Sequence, residues 1–154
     1  MRSGTENVAG IVGFGAAMEL AAREWRERSE RILPLRERLI DGILERVPHT
    51  RLNGDRERRL PNNVNLLFDF IEGEAICLKL DFQGIAASTG SACSSVSGEA
   101  SHVLLALGIP PERAHGSLRL TLGRENGEED VEYVLGTLPP VIEELRRMSY
   151  REND

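Results

Sequence analysis

A cysteine among small polar residues is the first feature of the sequence that could do chemistry. Cys93 lies in residues 88–98, which read STGSACSSVSG, whereas a core cysteine normally has large apolar neighbours. Glycine relaxes the backbone and serine adds little bulk, so this composition predicts a mobile loop with an accessible thiol. A flexible connector with an incidental cysteine explains the composition equally well, because reactivity also requires thiolate character.

An arginine in an alternating segment is the second such feature. Residues 117–122 read SLRLTL, which predicts a strand with three leucines on one face and Arg119 on the other. The small neighbours Ser117 and Thr121 leave room for a ligand. A guanidinium held on a strand can bind a carboxylate through two parallel hydrogen bonds. The pattern also allows a simpler interpretation, an exposed strand arginine with no ligand.

A polar segment before the first helix is the third feature, and it points weakly to phosphate. Residues 2–7 read RSGTEN, and Thr5 could add a hydroxyl to the free N–H groups of a helix N-terminus. The segment lacks the Gly-Lys-[Ser/Thr] ending of a P-loop. No metal site is predicted, because the cysteines and histidines show no ligand spacing.

Length and composition narrow the class of protein. A chain of 154 residues fits one domain, and its two cysteines lie in different settings, so no disulfide framework is expected. The reduced thiols and the lack of a secretory signal predict a cytoplasmic protein. The net charge of −6 disfavours nucleic acid and anionic membranes as partners. No apolar run approaches the length of a membrane span.

The elements that must position these residues follow from hydrophobic periodicity and breakers. A long N-terminal helical region covers residues 1–48, with Thr5 and Asn7 as candidate caps and Pro34 as a kink or a break. Strands are predicted at residues 50–53, 63–70, 84–88 and 117–122. Helices are predicted at residues 72–82, at 97–107 with Ser97 as N-cap and Gly108 closing the helix, and at 128–148 with Pro139 and Pro140 interrupting it.

This element order predicts an α+β fold, an α/β sandwich. Its sheet is small and mainly antiparallel, with three or four strands, and helices pack on one face. Residues 1–148 form a single domain in this prediction, and residues 149–154 form a frayed tail.

Three segments of the sequence resemble motifs of the NifS/IscS-type cysteine desulfurases, which are class V aminotransferases of pyridoxal phosphate fold type I. The segments are residues 2–8 (RSGTENV), 88–95 (STGSACSS) and 117–124 (SLRLTLGR), in the family's order and spacing. The resemblance extends over residues 2–147. Ala100 departs from it, because the family usually has a proline there.

The resemblance implies a role for one residue of each motif. Cys93 would be the nucleophile that takes sulfur from L-cysteine as a persulfide, with release of alanine. Arg119 would bind the substrate carboxylate. Thr5 would contact the phosphate group of pyridoxal phosphate in the partner subunit's site of a homodimer. The persulfide would pass to a sulfur acceptor or an iron–sulfur scaffold protein, where Cys93 could contact the cluster.

One expected residue is missing, the lysine that holds the cofactor as a Schiff base. Lys79 is the only lysine and lies outside the family's Ser-x-His-Lys setting, so we interpret it as a surface residue. The resemblance therefore implies a C-terminal small domain without its cofactor-binding large domain, able to fold but unable to turn over cysteine alone. Two alternatives are a selenocysteine lyase, and a non-catalytic sulfur-relay or docking module that uses Cys93 by itself.

Overall fold

The computed structural model describes residues 3–89 and 100–151. Within these ranges three strands and five helices alternate irregularly. In chain order they are α1 (Val8–Arg46), β1 (Thr50–Leu52), β2 (Asn63–Phe68), α2 (Gly73–Asp81), α3 (His102–Ala106), α4 (Pro111–Ala114), β3 (Ser117–Thr121) and α5 (Glu128–Arg151). None of these helices is long and apolar enough to cross a bilayer.

The strands form an antiparallel sheet in the order β1-β2-β3, which confirms the predicted α+β fold. In the β2–β3 register, Asn65 faces Arg119 and Leu66 faces Leu118. Because successive side chains of a strand point to opposite faces, this register gives the sheet one apolar face and one largely polar face.

The apolar face of the sheet packs against α1, α2 and α5, and this contact forms the main core. The side chains at its centre are at most 1% exposed: Leu39, Ile40, Ile43, Val64, Leu66, Phe68, Ile76, Leu80, Leu118, Leu138 and Ile142. Each buried leucine or isoleucine contributes about 1.5–3 kcal/mol relative to its exposed state. Because this core holds the sheet against the three helices, it also determines the position of the sheet's opposite, largely polar face.

A smaller cluster covers one end of the opposite face. Leu67 of β2 is fully buried there against Leu104, Ile109 and Ala114, which α3, α4 and the turn between them supply. The three longer helices therefore share one face, as predicted, and two short helices add a partial cover on the other. The short helix α4 was not predicted from the sequence.

The helix breaks predicted at the prolines do not occur. The helix α1 runs unbroken from its Asn7 cap, whose Oδ1 accepts a hydrogen bond from Gly10 N at 3.0 Å, through Pro34 to its end. The helix α5 likewise includes Pro139 and Pro140 and continues to Arg151, beyond the predicted end at residue 148. A proline inside a helix costs about 3 kcal/mol. Burial of the apolar residues on either side of these prolines offsets that cost.

Two predicted elements near the cysteine segment also differ. Residues 84–88 do not form a strand: Gly84 adopts φ +73°, Ile85 N–H donates to Leu80 O, and only Ser88 pairs with the sheet. The helix predicted from residue 97 begins at His102, and the proposed cap Ser97 lies outside the described residues. Gly108 ends this helical turn with φ +77°, as predicted.

The helix α1 has two unlike halves. All of its buried residues lie from Ile32 onward. Residues 8–31, about 36 Å of helix at 1.5 Å per residue, expose large apolar side chains. They include Val8, Ile11, Val12, Phe14, Met18 and Trp25, each more than half exposed.

One buried charge on α1 escaped the sequence analysis. Arg36 is only 4% exposed and donates hydrogen bonds to Glu37 and to Leu60 O. Burial raises the pKa of Glu37, but hydrogen bonds from Arg36 and Arg56 outweigh that effect and leave the pKa below its ordinary value. Glu37 therefore stays ionised between two guanidinium groups.

Candidate functional site

Arg119 lies in the middle of β3 on the polar face of the sheet. Its side chain is exposed, whereas its neighbours Leu118 and Leu120 are 1% and 5% exposed in the core on the other side. This alternation confirms the predicted strand and its two faces. Within residues 3–89 and 100–151, the Arg119 guanidinium makes no ion pair or hydrogen bond. It is therefore a charged, two-pronged donor available to a carboxylate.

The chain that leads to the cysteine segment is attached to Arg119 through the backbone. Ser88 N–H donates to Arg119 O at 3.1 Å, and Arg119 N–H donates to Ser88 O at 2.6 Å. One residue later, Ser117 Oγ donates to Thr89 O at 3.0 Å. Residues 88 and 89 are thus fixed along the free edge of β3.

Cys93 itself lies outside the described residues, so the predicted accessible thiol stays a prediction. It lies four residues beyond Thr89 in the sequence. The chain returns at Ala100, which packs on the Leu67 cluster of the same sheet face. The described chain thus stops at the free edge of β3 and resumes beside the Leu67 cluster, on the face that carries Arg119.

An asparagine pair borders Arg119 on this face, and the sequence analysis did not single it out. Asn53 Nδ2 donates to Asn65 Oδ1 at 2.6 Å, and Asn65 is the register partner of Arg119. The Arg59 guanidinium donates a further hydrogen bond, of 2.6 Å, to Asn53 O. The signal was present in β2, where Asn63 and Asn65 alternate with apolar residues.

Two guanidinium groups near this pair are partly desolvated. Burial, with Arg36 nearby, lowers the pKa of Arg59, which still remains cationic at neutral pH. On β1, Nε and Nη2 of Arg51 are buried and have no hydrogen-bond partner among the described residues. Two further arginines, Arg51 and Arg59, thus lie on or beside β1, at the other edge of the sheet from β3.

Thr5 is not brought to this face of the sheet by any contact in the described part of the chain. It is exposed in the segment before α1, and its hydroxyl forms no hydrogen bond to a described residue. Its neighbour Asn7 caps α1, so one of the first N–H groups is already satisfied. The role of Thr5 toward a phosphate stays a prediction.

Lys79 lies on the opposite side of the sheet from Arg119. Its Nζ is 2.7 Å from Glu144 Oε1, in an ion pair that joins the outer surfaces of α2 and α5. This placement agrees with its interpretation as a surface residue. Lys79 is the only lysine, and it is paired with Glu144 on the side of the sheet away from Arg119. The residues of this chain therefore do not by themselves fit pyridoxal phosphate.

The second cysteine has a setting that disfavours reaction. Cys77 is a half-buried free thiol on α2. Burial raises its pKa, and the nearby carboxylate of Glu74 raises it further. The nucleophilic thiolate is therefore scarce at Cys77 at neutral pH.

A cavity of about 900 Å³ lies elsewhere, where the ends of β2 and α5 meet the starts of α2 and α4. An ion pair between Arg113 and Asp69 lies at its wall, and Phe68 and Leu145 form part of its apolar lining. Arg119 and Thr5 do not line this cavity. Across the described ranges, no group of three His, Cys, Asp or Glu residues could hold a metal ion.

Comparison with known proteins gives consistent matches. The Aminotransferase class-V family matches residues 1–134. Cysteine desulfurase IscS 1 of Archaeoglobus fulgidus is 57% identical over 149 residues, which are 97% of this chain and 39% of that protein. Cysteine desulfurase IscS of Clostridium botulinum (strain Hall) is 57% identical over 150 residues, 96% of this chain and 38% of that protein. Cysteine desulfurase NifS of Azotobacter vinelandii is 47% identical over 148 residues, 96% of this chain and 37% of that protein.

Solved structures agree with the sequence matches. A NifS-like protein superposes with a TM-score of 0.79 at 33% identity, covering 94% of this chain and 36% of that one. A NifS-like protein from Rickettsia africae gives a TM-score of 0.79 at 30% identity, covering 92% of this chain and 36% of that one. The chain thus spans less than two fifths of the length of these two solved chains and of each of the three relatives quoted above.

Proposed function

The chain belongs to the class-V aminotransferase family, and on that basis we propose that it is the C-terminal domain of a cysteine desulfurase. The proposed domain is the predicted residues 1–148 extended to Arg151, where α5 ends. One observation carries the proposal: the backbone pairing of Ser88 with Arg119 attaches the start of the Cys93 segment to the arginine that, in this proposal, binds the substrate carboxylate. The desulfurase names of the relatives support the same activity.

In the proposed reaction, Cys93 is the nucleophile and L-cysteine is the sulfur donor. The Cys93 thiolate attacks the sulfur of the substrate, so that an S–S bond forms and the C–S bond of the substrate breaks. The carbon skeleton gains a proton and leaves as alanine, and Cys93 is left as a persulfide. Arg119 holds the substrate carboxylate, which orients the substrate sulfur toward the segment attached at Thr89.

The cofactor in this proposal is pyridoxal phosphate, held by a large domain outside this chain. The lysine that would hold it belongs to that large domain in this proposal, because Lys79 is paired with Glu144 on the side of the sheet away from Arg119. Thr5 would contribute its hydroxyl to the phosphate in the site of a partner subunit, within a homodimer. The exposed position of Thr5 at the N-terminal end of α1 is compatible with that role.

The product would be passed on, since a persulfide is a carrier and not an end product. We propose a sulfur acceptor or iron–sulfur scaffold protein as the partner, with the Cys93 persulfide approaching the cluster during transfer. A cytoplasmic location suits this chemistry, because a reducing compartment keeps the thiol free.

The test uses the full-length enzyme, meaning this chain joined to its cofactor-binding domain, as encoded or by fusion to the remainder of the Clostridium botulinum relative. We expect equal amounts of alanine and sulfide from L-cysteine in the presence of a reductant. Cys93→Ser should abolish both products and leave the pyridoxal absorbance unchanged. The matched control Cys77→Ser should retain activity.

Other results would redirect the proposal. Preference for selenocysteine over cysteine would indicate a selenocysteine lyase. Uptake and transfer of persulfide sulfur by this chain alone, without pyridoxal, would indicate a relay module. Alanine production by this chain with added pyridoxal phosphate and cysteine, lost in Cys93→Ser, would overturn the assignment of the cofactor site to another domain.

A further inference from the structure

The first residue of α2 is packed against the start of the cysteine segment. Gly73 is buried, and its N–H donates to His115 O at 2.8 Å. A Cβ at this position would lie well inside contact distance of Ser117 O and 3.0 Å from Thr89 Cγ2. The absence of a side chain at Gly73 therefore lets α2, β3 and Thr89 meet at one point.

Ser117 holds Thr89 from the other direction. It is 1% exposed, and its hydroxyl donates to Thr89 O at 3.0 Å. A buried hydroxyl with one committed partner has little freedom to serve a ligand, so this hydrogen bond is best understood as structural support. Thr89 is thus held by a hydrogen bond from Ser117 and by van der Waals contact at Gly73.

We propose that Ser117 and Gly73 are positioning residues that fix where the Cys93 segment leaves the sheet. This inference rests on the function proposed above. Cys93 is four residues from Thr89, so a fixed attachment limits the volume that the thiol can occupy and raises its effective concentration at the substrate. Arg119 keeps its own pairing with Ser88 and does not depend on the Ser117 hydroxyl.

This separation of roles predicts a specific kinetic signature. In the full-length enzyme, Ser117→Ala should lower kcat for L-cysteine about three- to tenfold, since it removes one hydrogen bond from the attachment. KM should stay unchanged, because Arg119 still binds the carboxylate. The matched control is Ser29→Ala, which removes a hydroxyl-to-carbonyl bond of 2.7 Å to Trp25 O on α1. It should leave both constants unchanged.

A glycine pair provides the second arm of the test. Gly73→Ala should lower kcat more than Ser117→Ala, because the added methyl group displaces backbone as well as Thr89. Gly136→Ala on α5, where a Cβ meets nothing within 4 Å, is the control and should leave kcat unchanged. If Gly73→Ala does not fold, the Ser117 arm still decides the question.

Two direct readouts separate positioning from general loosening of the fold. The single-turnover rate of persulfide formation on Cys93 should fall in Ser117→Ala. The alkylation rate of Cys77, which reports opening of α2, should not change. A wild-type rate of persulfide formation in Ser117→Ala would overturn the inference, as would a rise in Cys77 alkylation that parallels the loss of rate. If wild-type enzyme forms no persulfide on Cys93, the proposed function fails, and the inference fails with it.

Discussion

Replacing Arg119 by alanine should weaken substrate binding while leaving the fold intact. The side chain is exposed and has no partner among the described residues, so its loss removes no internal contact. Its backbone pairing with Ser88 survives the substitution. We therefore expect the free energy of unfolding to change by less than about 0.5 kcal/mol.

The effect on binding follows from the hydrogen bonds that the guanidinium can donate. A hydrogen bond to a charged group contributes about 1.5–3 kcal/mol, and each 1.4 kcal/mol is tenfold in affinity. That range corresponds to an increase of about 10- to 150-fold in KM for L-cysteine. Because water competes at an exposed site, we expect the lower end, about tenfold.

Steady-state kinetics on the full-length enzyme, with urea unfolding of the same variants, would test this reasoning. Arg119→Lys should be intermediate, because an ammonium keeps the charge and loses the two-pronged geometry. Arg124→Ala is the control, since its exposed side chain forms an ion pair only with its neighbour Glu125 among the described residues, and the carbonyl that accepts from Arg31 is kept. An unchanged kcat/KM in Arg119→Ala would refute the carboxylate role. A large loss of stability would refute the claim that the side chain has no structural contact.

Three further predictions concern the chain itself. Iodoacetamide should modify Cys93 much faster than Cys77, whose pKa is raised, and peptide mass mapping would show equal rates if the composition argument fails. Gly116→Ala should destabilise the fold, because its Cβ would collide with the Phe68 carbonyl, whereas Gly136→Ala should stabilise it by up to about 1 kcal/mol in urea unfolding. Glu37→Gln should cost stability at pH 7 and progressively less as the pH falls. The pKa of Glu37 is depressed below its ordinary value of 4.5, so its contribution is present above that value and is lost as the pH falls through the folded pKa. An equal cost at pH 7 and pH 3 would contradict this assignment.

The strands could be predicted where the two faces differ. In β3 and the residue after it, Leu118, Leu120 and Leu122 alternate with Arg119 and Thr121, and the structure buries the leucines as expected. The strand predicted at residues 84–88 was wrong, because in this segment the sequence does not distinguish two faces. Gly84 and Ile85 close the end of α2, and a short apolar stretch after a helix cannot be distinguished from a strand by periodicity alone.

The predicted helix breaks at the prolines were wrong because they rested on the helix propensity of proline alone. They left out the burial of neighbouring residues in the core. Pro34 lies between Ile32 and Leu35, and both of these residues are buried by α5 and the sheet. The same sequence signal could not show that Arg36 turns inward, since its partners come from residues 37 and 60. For the candidate site, motif order identified Arg119, but only the register revealed the Asn53–Asn65 pair beside it.

The alternation in β3 also makes this strand intolerant of insertions and deletions. Adding or removing one residue between Ser117 and Leu122 would move every later side chain to the other face. A change before Arg119 would turn the arginine toward the core and the leucines outward, so the fold would be lost together with the proposed carboxylate site. The strand can therefore accept substitutions but not a change in length. A deletion scan should find few tolerated variants in this strand and more of them in the turn at residues 123–127.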